Sequence, residues 1–533
     1  MANSTLIDTT SLLTILGFFA AVWALISPTS RLRIRYCMAW HDRFIGISAF
    51  FLIHYLVFEP VLSRLGLYYS FGAWKWGFDS SSTVYLLILC VVIYFSWRIK
   101  SPTLAKGRVG IFRELAENLY FTKRYDELVL LVEPQLPKLI QLTKQHPYFI
   151  SWLNRLDYPN QNLHARLPGE KPLPISAWQK RRRIILQFLK SKFLASNQAN
   201  IHAHEILLNL VTSPDLIVHL ALNHPYFCIK LLESEEAINS DFISPYMDAL
   251  LDTPSSRLYV ELKNNQNQNG GSRLYLPENN RLLSFFFTNA AAVLGKGLSP
   301  AIGDALCRRL DEDSLLAKKL NQPIGFYVET GKFRCPINSG ITLFQIMVHE
   351  GIHQGLQDHM WLHYFENFAK KILQKMTWPT DKETFPEWPT PFHYLLYRLM
   401  RIAMEWIEQC NYIQKSEIPE KTLSSEAFDL HFISKQATAV LGAMLQEAIR
   451  SEQLSESFQT YLLKSVLRCY IRLQENNNLA DVSTALITSI IYCENFPREE
   501  AYRFKLQSFL NKIDPNMKRD LVEFEEALTS SFS

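Results

Sequence analysis

The sequence predicts a mainly α-helical fold with a small β component, preceded by transmembrane helices at the N-terminus. Three observations predict it. The first hundred residues hold three long apolar runs. Apolar residues recur at three- and four-residue steps over 108–260 and again from Thr342 to the C-terminal end. Two short stretches between those regions are rich in Tyr, Val and Thr around turn residues, as hairpins are. At 533 residues the chain exceeds what one core usually serves, so several packed parts are expected.

Residues 1–100 form the expected anchor. Leu12–Ile26 (LLTILGFFAAVWALI) lies in an uncharged stretch between Asp8 and Arg31, long enough to cross a hydrocarbon core of about 30 Å. Phe44–Leu62 is a weaker second span containing His54, Glu59 and Pro60. Ser80–Trp97 is uncharged and ends on Tyr94 and Trp97, residues suited to a membrane interface. Arg31, Arg33, Arg35 and Arg43 follow the first span; Arg98, Lys100, Lys106, Arg108 and Arg113 follow the third. With positive charge inside, the N-terminus of this multi-pass cell-membrane protein lies outside and everything after residue 98 is cytoplasmic.

Residues 101–255 read as a cytoplasmic helical region. NLYFTKRYDELV has the look of a tetratricopeptide-type hairpin, although no second copy follows at a fixed period. Lys180–Lys192 (KRRRIILQFLKSK) is a basic amphipathic helix, either a contact for anionic lipid or an ordinary solvated face. Residues 256–425 carry the β component. RLYVELK (257–263) and SRLYLPE (272–278) flank NNQNQNGG as one hairpin, and GFYVETGKFRCPI (325–337) forms a second, turning at Glu329–Lys332. Residues 426–533 give a C-terminal helical region of about four helices.

Composition narrows the function. Lys+Arg 55 against Asp+Glu 51 gives a net charge of +4, too small for a nucleic-acid binder held by bulk charge, so no nucleic-acid partner is expected. Eight cysteines are scattered without a CxxC pair, which points away from a disulfide framework or a zinc ribbon. Phosphate-binding and nucleophile-elbow motifs (GxxxxGK[ST], GxSxG) are absent.

One segment carries chemistry. His349-Glu350-Gly351-Ile352-His353 places two imidazoles four residues apart, on one face of a helix, where both can grip one Zn²⁺. Glu350 is offset by about 100° of helix rotation, within reach of a water on the metal but not of the metal itself. Zinc brings such a water's pKa toward about 7; a carboxylate can then take its proton and later return it to a leaving amine. The apolar residues Leu343, Phe344, Ile346, Met347 and Val348 lead into the motif, as expected of a buried active-site helix.

His349, Glu350 and His353 resemble the motif of the zincin metallopeptidases, over roughly 70 residues of the chain. The resemblance implies a zincin-like α+β core over 256–425, with the upstream hairpin offering an edge strand for a substrate backbone. It also implies a third protein ligand. His359 has the spacing of the metzincin pattern HExxHxxGxxH, but Leu356 stands where that pattern has glycine, with Gly355 before it. In the gluzincin pattern a glutamate on a later helix is the ligand, in an ExxxD setting. Glu405 matches it, with Gln409 where the acid would be; Glu408 is a further alternative. Glu405 can equally pair with Arg401 one turn earlier.

The expectation is therefore a membrane-anchored zinc metallopeptidase acting on a cytosolic or membrane-proximal protein. His349, His353 and Glu405 would bind zinc and Glu350 would serve as base and acid. The alternative is a non-catalytic, membrane-tethered helical scaffold, with or without a structural zinc site.

Overall fold

The computed structural model describes residues 36–69, 80–100, 104–144, 198–233, 240–264 and 277–531, with gaps inside the first and last stretches. The chain divides into two compact units, Met1–Leu216 with Ser234–Ala237 and Ile217–Glu233 with Ile238–Ser533.

In the first unit, α1 (Trp40–Val57) packs beside α2 (Ser80–Lys100). Asp42 of α1 is buried and is held by the Tyr94 hydroxyl and the Arg98 guanidinium of α2. Among the described residues no single helix is long and apolar enough to cross a membrane, which corrects the N-terminal transmembrane helices expected above. Helix α2 is apolar over most of its length but closes on Arg98, which is tied to Asp42 of α1. The other weaker run is divided: α1 stops at Val57, and a separate short helix, Glu59–Arg64, begins with Pro60 in its first turn. The pair leaves Phe44, Ile47, Phe51, Ile93 and Trp97 exposed. Leu12–Ile26 and Lys180–Lys192 lie outside the described residues. Further on, α3 (Val109–Phe121) and α4 (Tyr125–Val132) form a helical hairpin around Phe112, Leu115, Leu119, Leu128 and Val132, all buried.

The second unit holds α5 (Ser240–Asp252), α6 (Arg257–Asn264), α7 (Leu298–Glu312), α8 (Pro336–His353), α9 (His363–Lys375), α10 (Pro391–Glu408), α11 (Phe432–Arg450), α12 (Glu456–Gln474) and α13 (Ala480–Tyr492). No strand occurs among the described residues, so the small β component and the α+β core are corrected to an all-helical one. The first expected hairpin arm is α6. Leu258 and Leu262, four residues apart, are buried, and Arg257 pairs with Glu261 at 3.2 Å, both helical spacings. Glu261 is fully buried and accepts the N–H groups of Leu282 and Leu283 at 2.9 and 3.1 Å, capping the next helix, Arg281–Thr288. The second expected hairpin is a series of turns: Thr330 N–H bonds to Phe326 O and Lys332 N–H to Tyr327 O, and a 3₁₀ turn at Gly331–Arg334 leads into α8. Most of the second arm of the first hairpin lies outside the described residues.

Helix α11 runs through the centre of this unit, against α9, α10 and α13. Its approach to α13 is close: a Cβ on Gly442 would fall 2.4 Å from the carbonyl oxygen of Ser489. Beside it, the fully buried Trp406 meets Phe365 with ring centroids 4.5 Å apart and donates its indole N–H to Gln345 O at 3.3 Å. These contacts lock α9 and α10 against α8, the helix that carries HEGIH.

Candidate metal centre

Helix α8 begins with Pro336 in its first turn, and nearly every side chain from Ile337 to His353 is buried. Such a helix is buried on all sides rather than amphipathic. It ends at His353. Gly355 adopts φ +68°, while the N–H groups of Gly355 and Leu356 bond back to Ile352 O and Gly351 O at 3.1 and 3.0 Å. This left-handed cap satisfies the last carbonyls and turns the chain away at the end of the motif. The helix therefore does not continue past the motif.

His349, Glu350 and His353 are brought together in the last turn. The imidazole centroids lie 4.8 Å apart, and the three residues are 4%, 4% and 3% exposed. The Glu350 carboxylate approaches His349 Nδ1 at 4.0 Å and lies 3.5 Å from the Gln354 amide nitrogen. Gln354 is fixed in turn, donating to Phe287 O at 2.9 Å and accepting from Ala290 N–H at 3.0 Å. Two imidazoles and a carboxylate are thus removed together from water, nitrogen and oxygen donors of the kinds that zinc takes.

The candidate third ligands fall in different places. Helices α8 and α10 run side by side in the same direction, since Asn338 meets Arg398, Gln345 meets Glu405 and His353 meets Gln409. Glu405 accepts a hydrogen bond from Gln345 at 2.9 Å, which places it one helical turn before His349. Burial raises its pKa, opposed by the charge of Arg401 and by the Gln345 amide. Glu408 pairs with Arg472 at 2.5 Å; burial raises its pKa and Arg472 lowers it. The side chain beside His353 is that of Gln409, whose Oε1 lies 3.3 Å from the ring Nε2.

His359 lies outside the described residues. Its surroundings in the chain are described. Trp361 donates its indole N–H to Asp358 O at 2.9 Å and is buried, with its ring 3.0 Å from where a Cβ would stand on Gly351. Gly351 thus makes room for the returning chain inside the HEGIH motif itself. His363 is exposed at the start of α9.

Gln409 enters the sequence reading only as a departure from a pattern, and Gln354 not at all. Uncharged amides carry no motif signal, and their roles arise from packing. No family model, curated protein or solved structure matches the chain. The functional argument accordingly rests on these residues alone.

Proposed function

We propose that this protein is a zinc-dependent hydrolase of the HExxH kind, with His349 and His353 holding the metal and Glu350 as the catalytic acid and base. The observation that carries the reading is the burial of His349, Glu350 and His353 together at the end of α8, where Gly355 turns the chain. Of the carboxylates that the sequence offers as a third ligand, Glu405 accepts from Gln345 and Glu408 pairs with Arg472.

The chemistry that a bound zinc supplies is an acidified water and a polarised carbonyl. Glu350 takes the proton of the attacking water and passes it to the leaving group. Gln354 and the enclosed surroundings restrict where its carboxylate points, and exclusion of bulk water strengthens each charge interaction there. Gln409 orients His353 through the ring nitrogen it faces. Peptide bonds are the substrate class to which the motif resemblance points, so an unfolded protein is the first substrate to try.

The test is zinc content by elemental analysis of the full-length chain, beside single variants. Near one zinc per chain is expected, lost in His349→Ala and in His353→Ala. Glu350→Gln keeps the metal and loses hydrolysis of an unfolded reporter protein by about 10²–10⁴-fold. A zinc-free wild-type chain after reconstitution overturns the reading. Zinc kept in both histidine variants overturns the ligand set.

A further inference from the structure

A cleft of about 730 Å³ opens between α6, the Gly331–Arg334 turn, α8, α10 and α12. That volume lies within the roughly 300–1,000 Å³ typical of small-molecule sites. Its charge is one-sided. Lys332, Arg398, Arg401, Arg468 and Arg472 line it, against the carboxylates of Glu405 and Glu408. Arg472 is paired with Glu408. Among the described residues, no ion pair joins Lys332, Arg398, Arg401 or Arg468 to a carboxylate.

Glu405 offsets the charges of Arg401 and Arg398 in part, and the cations remain in excess. Arg398 directs its guanidinium to neutral oxygens: Asn338 Oδ1, Thr342 Oγ1 at 2.7 Å and Gln345 Oε1 at 3.3 Å. Burial pushes its pKa down, and Lys332 is lowered by burial and by the like charges of Arg398 and Arg401. Cations held this close and outnumbering the carboxylates beside them repel one another, at a cost that an anionic ligand removes. Tyr397 and Tyr461 stand on the same wall with ring centroids 5.7 Å apart, and Tyr394 lines it too.

We propose that this cleft binds a small molecule carrying two or more phosphate groups. Guanidinium forks match phosphate oxygens two at a time, and each phosphate brings up to two negative charges, so a pair of them balances the cationic surplus where a monoanion does not. Five chain elements bound the cleft, which favours a compact ligand over a polymer laid across a surface. The site is separate from the metal centre, although Thr342 and Gln345 share the face of α8 that carries His349 and His353.

The test is calorimetric titration of the full-length chain with tripolyphosphate, ATP and citrate at about 0.1 M salt, near one Debye length of 10 Å. One-to-one saturable binding of tripolyphosphate and ATP is expected. Arg401→Glu and Arg468→Glu, both exposed positions, should each weaken it by roughly tenfold or more, the loss of a charge-assisted contact. Lys319→Glu, exposed and outside the cleft, should leave binding unchanged. Absence of saturable binding overturns the proposal, as does an equal effect of Lys319→Glu. Citrate binding as tightly as tripolyphosphate overturns the phosphate assignment in favour of carboxylates. The titration repeated on His353→Ala separates the two sites. Unchanged affinity there supports the cleft, and lost affinity assigns the phosphate to the metal centre.

Discussion

His353 Nε2 lies 3.3 Å from Gln409 Oε1, across the contact between two helices that run in the same direction. The amide occupies the place that a zincin-like pattern gives to an acid. A neutral acceptor orients the ring without adding a second negative charge beside Glu350. Replacing Gln409 with Ala is expected to weaken zinc binding by about 10–100-fold, measured by chelator competition. Gln409→Glu, which keeps the acceptor, should retain most of the affinity.

The turn that closes α8 depends on one residue. Gly355 sits at φ +68°, and a Cβ there would stand 2.8 Å from Ile418 Cγ2. Gly355→Ala should destabilise the protein by about 1–2 kcal/mol, seen as a lower urea midpoint at unchanged slope.

Gly442 illustrates the opposite reason for a glycine. It sits in the middle of α11, where alanine would improve helix propensity by about 1 kcal/mol. The carbonyl of Ser489 on α13 leaves no room for the methyl group. Gly442→Ala is therefore expected to cost stability, by about 1–3 kcal/mol net, because backbone cannot rotate aside as a side chain can.

His393 makes stability depend on acid. Its ring is buried, with Thr390 Oγ1 2.8 Å from Nδ1, and burial lowers its pKa to about 4. Above about pH 6.5 the ring is neutral whether the chain is folded or not. Between that value and about 4 only the unfolded chain takes up the proton, so stability falls as pH falls, by up to roughly 3 kcal/mol, and then levels out. His393→Asn should flatten this slope in denaturant midpoints measured from pH 7 to pH 4.

The motif was legible because four-residue spacing is a local property of a helix: once α8 is helical, His349 and His353 must share a face. The expected strands failed for a related reason. RLYVELK and GFYVET are rich in residues that suit strands, yet a seven-residue run satisfies either period. The burial of Leu258 with Leu262 and the capping role of Glu261 favour the helix. The apolar N-terminal runs were legible as composition. Continuity was not legible: α1 stops at Val57 and a separate short helix begins at Glu59.

By itself the sequence determined the helical character of most of the chain and the grouping of His349, Glu350 and His353 on one turn of a helix, both consequences of short-range spacing. Tertiary structure alone decided what surrounds them. Gln409 reaches His353 from 56 positions away, Trp361 folds back onto Gly351, and cations from three distant segments meet in one cleft. Those neighbours come from the packing of α8 against α10 and α12, and the spacing within one segment carries no information about which other segment will lie beside it.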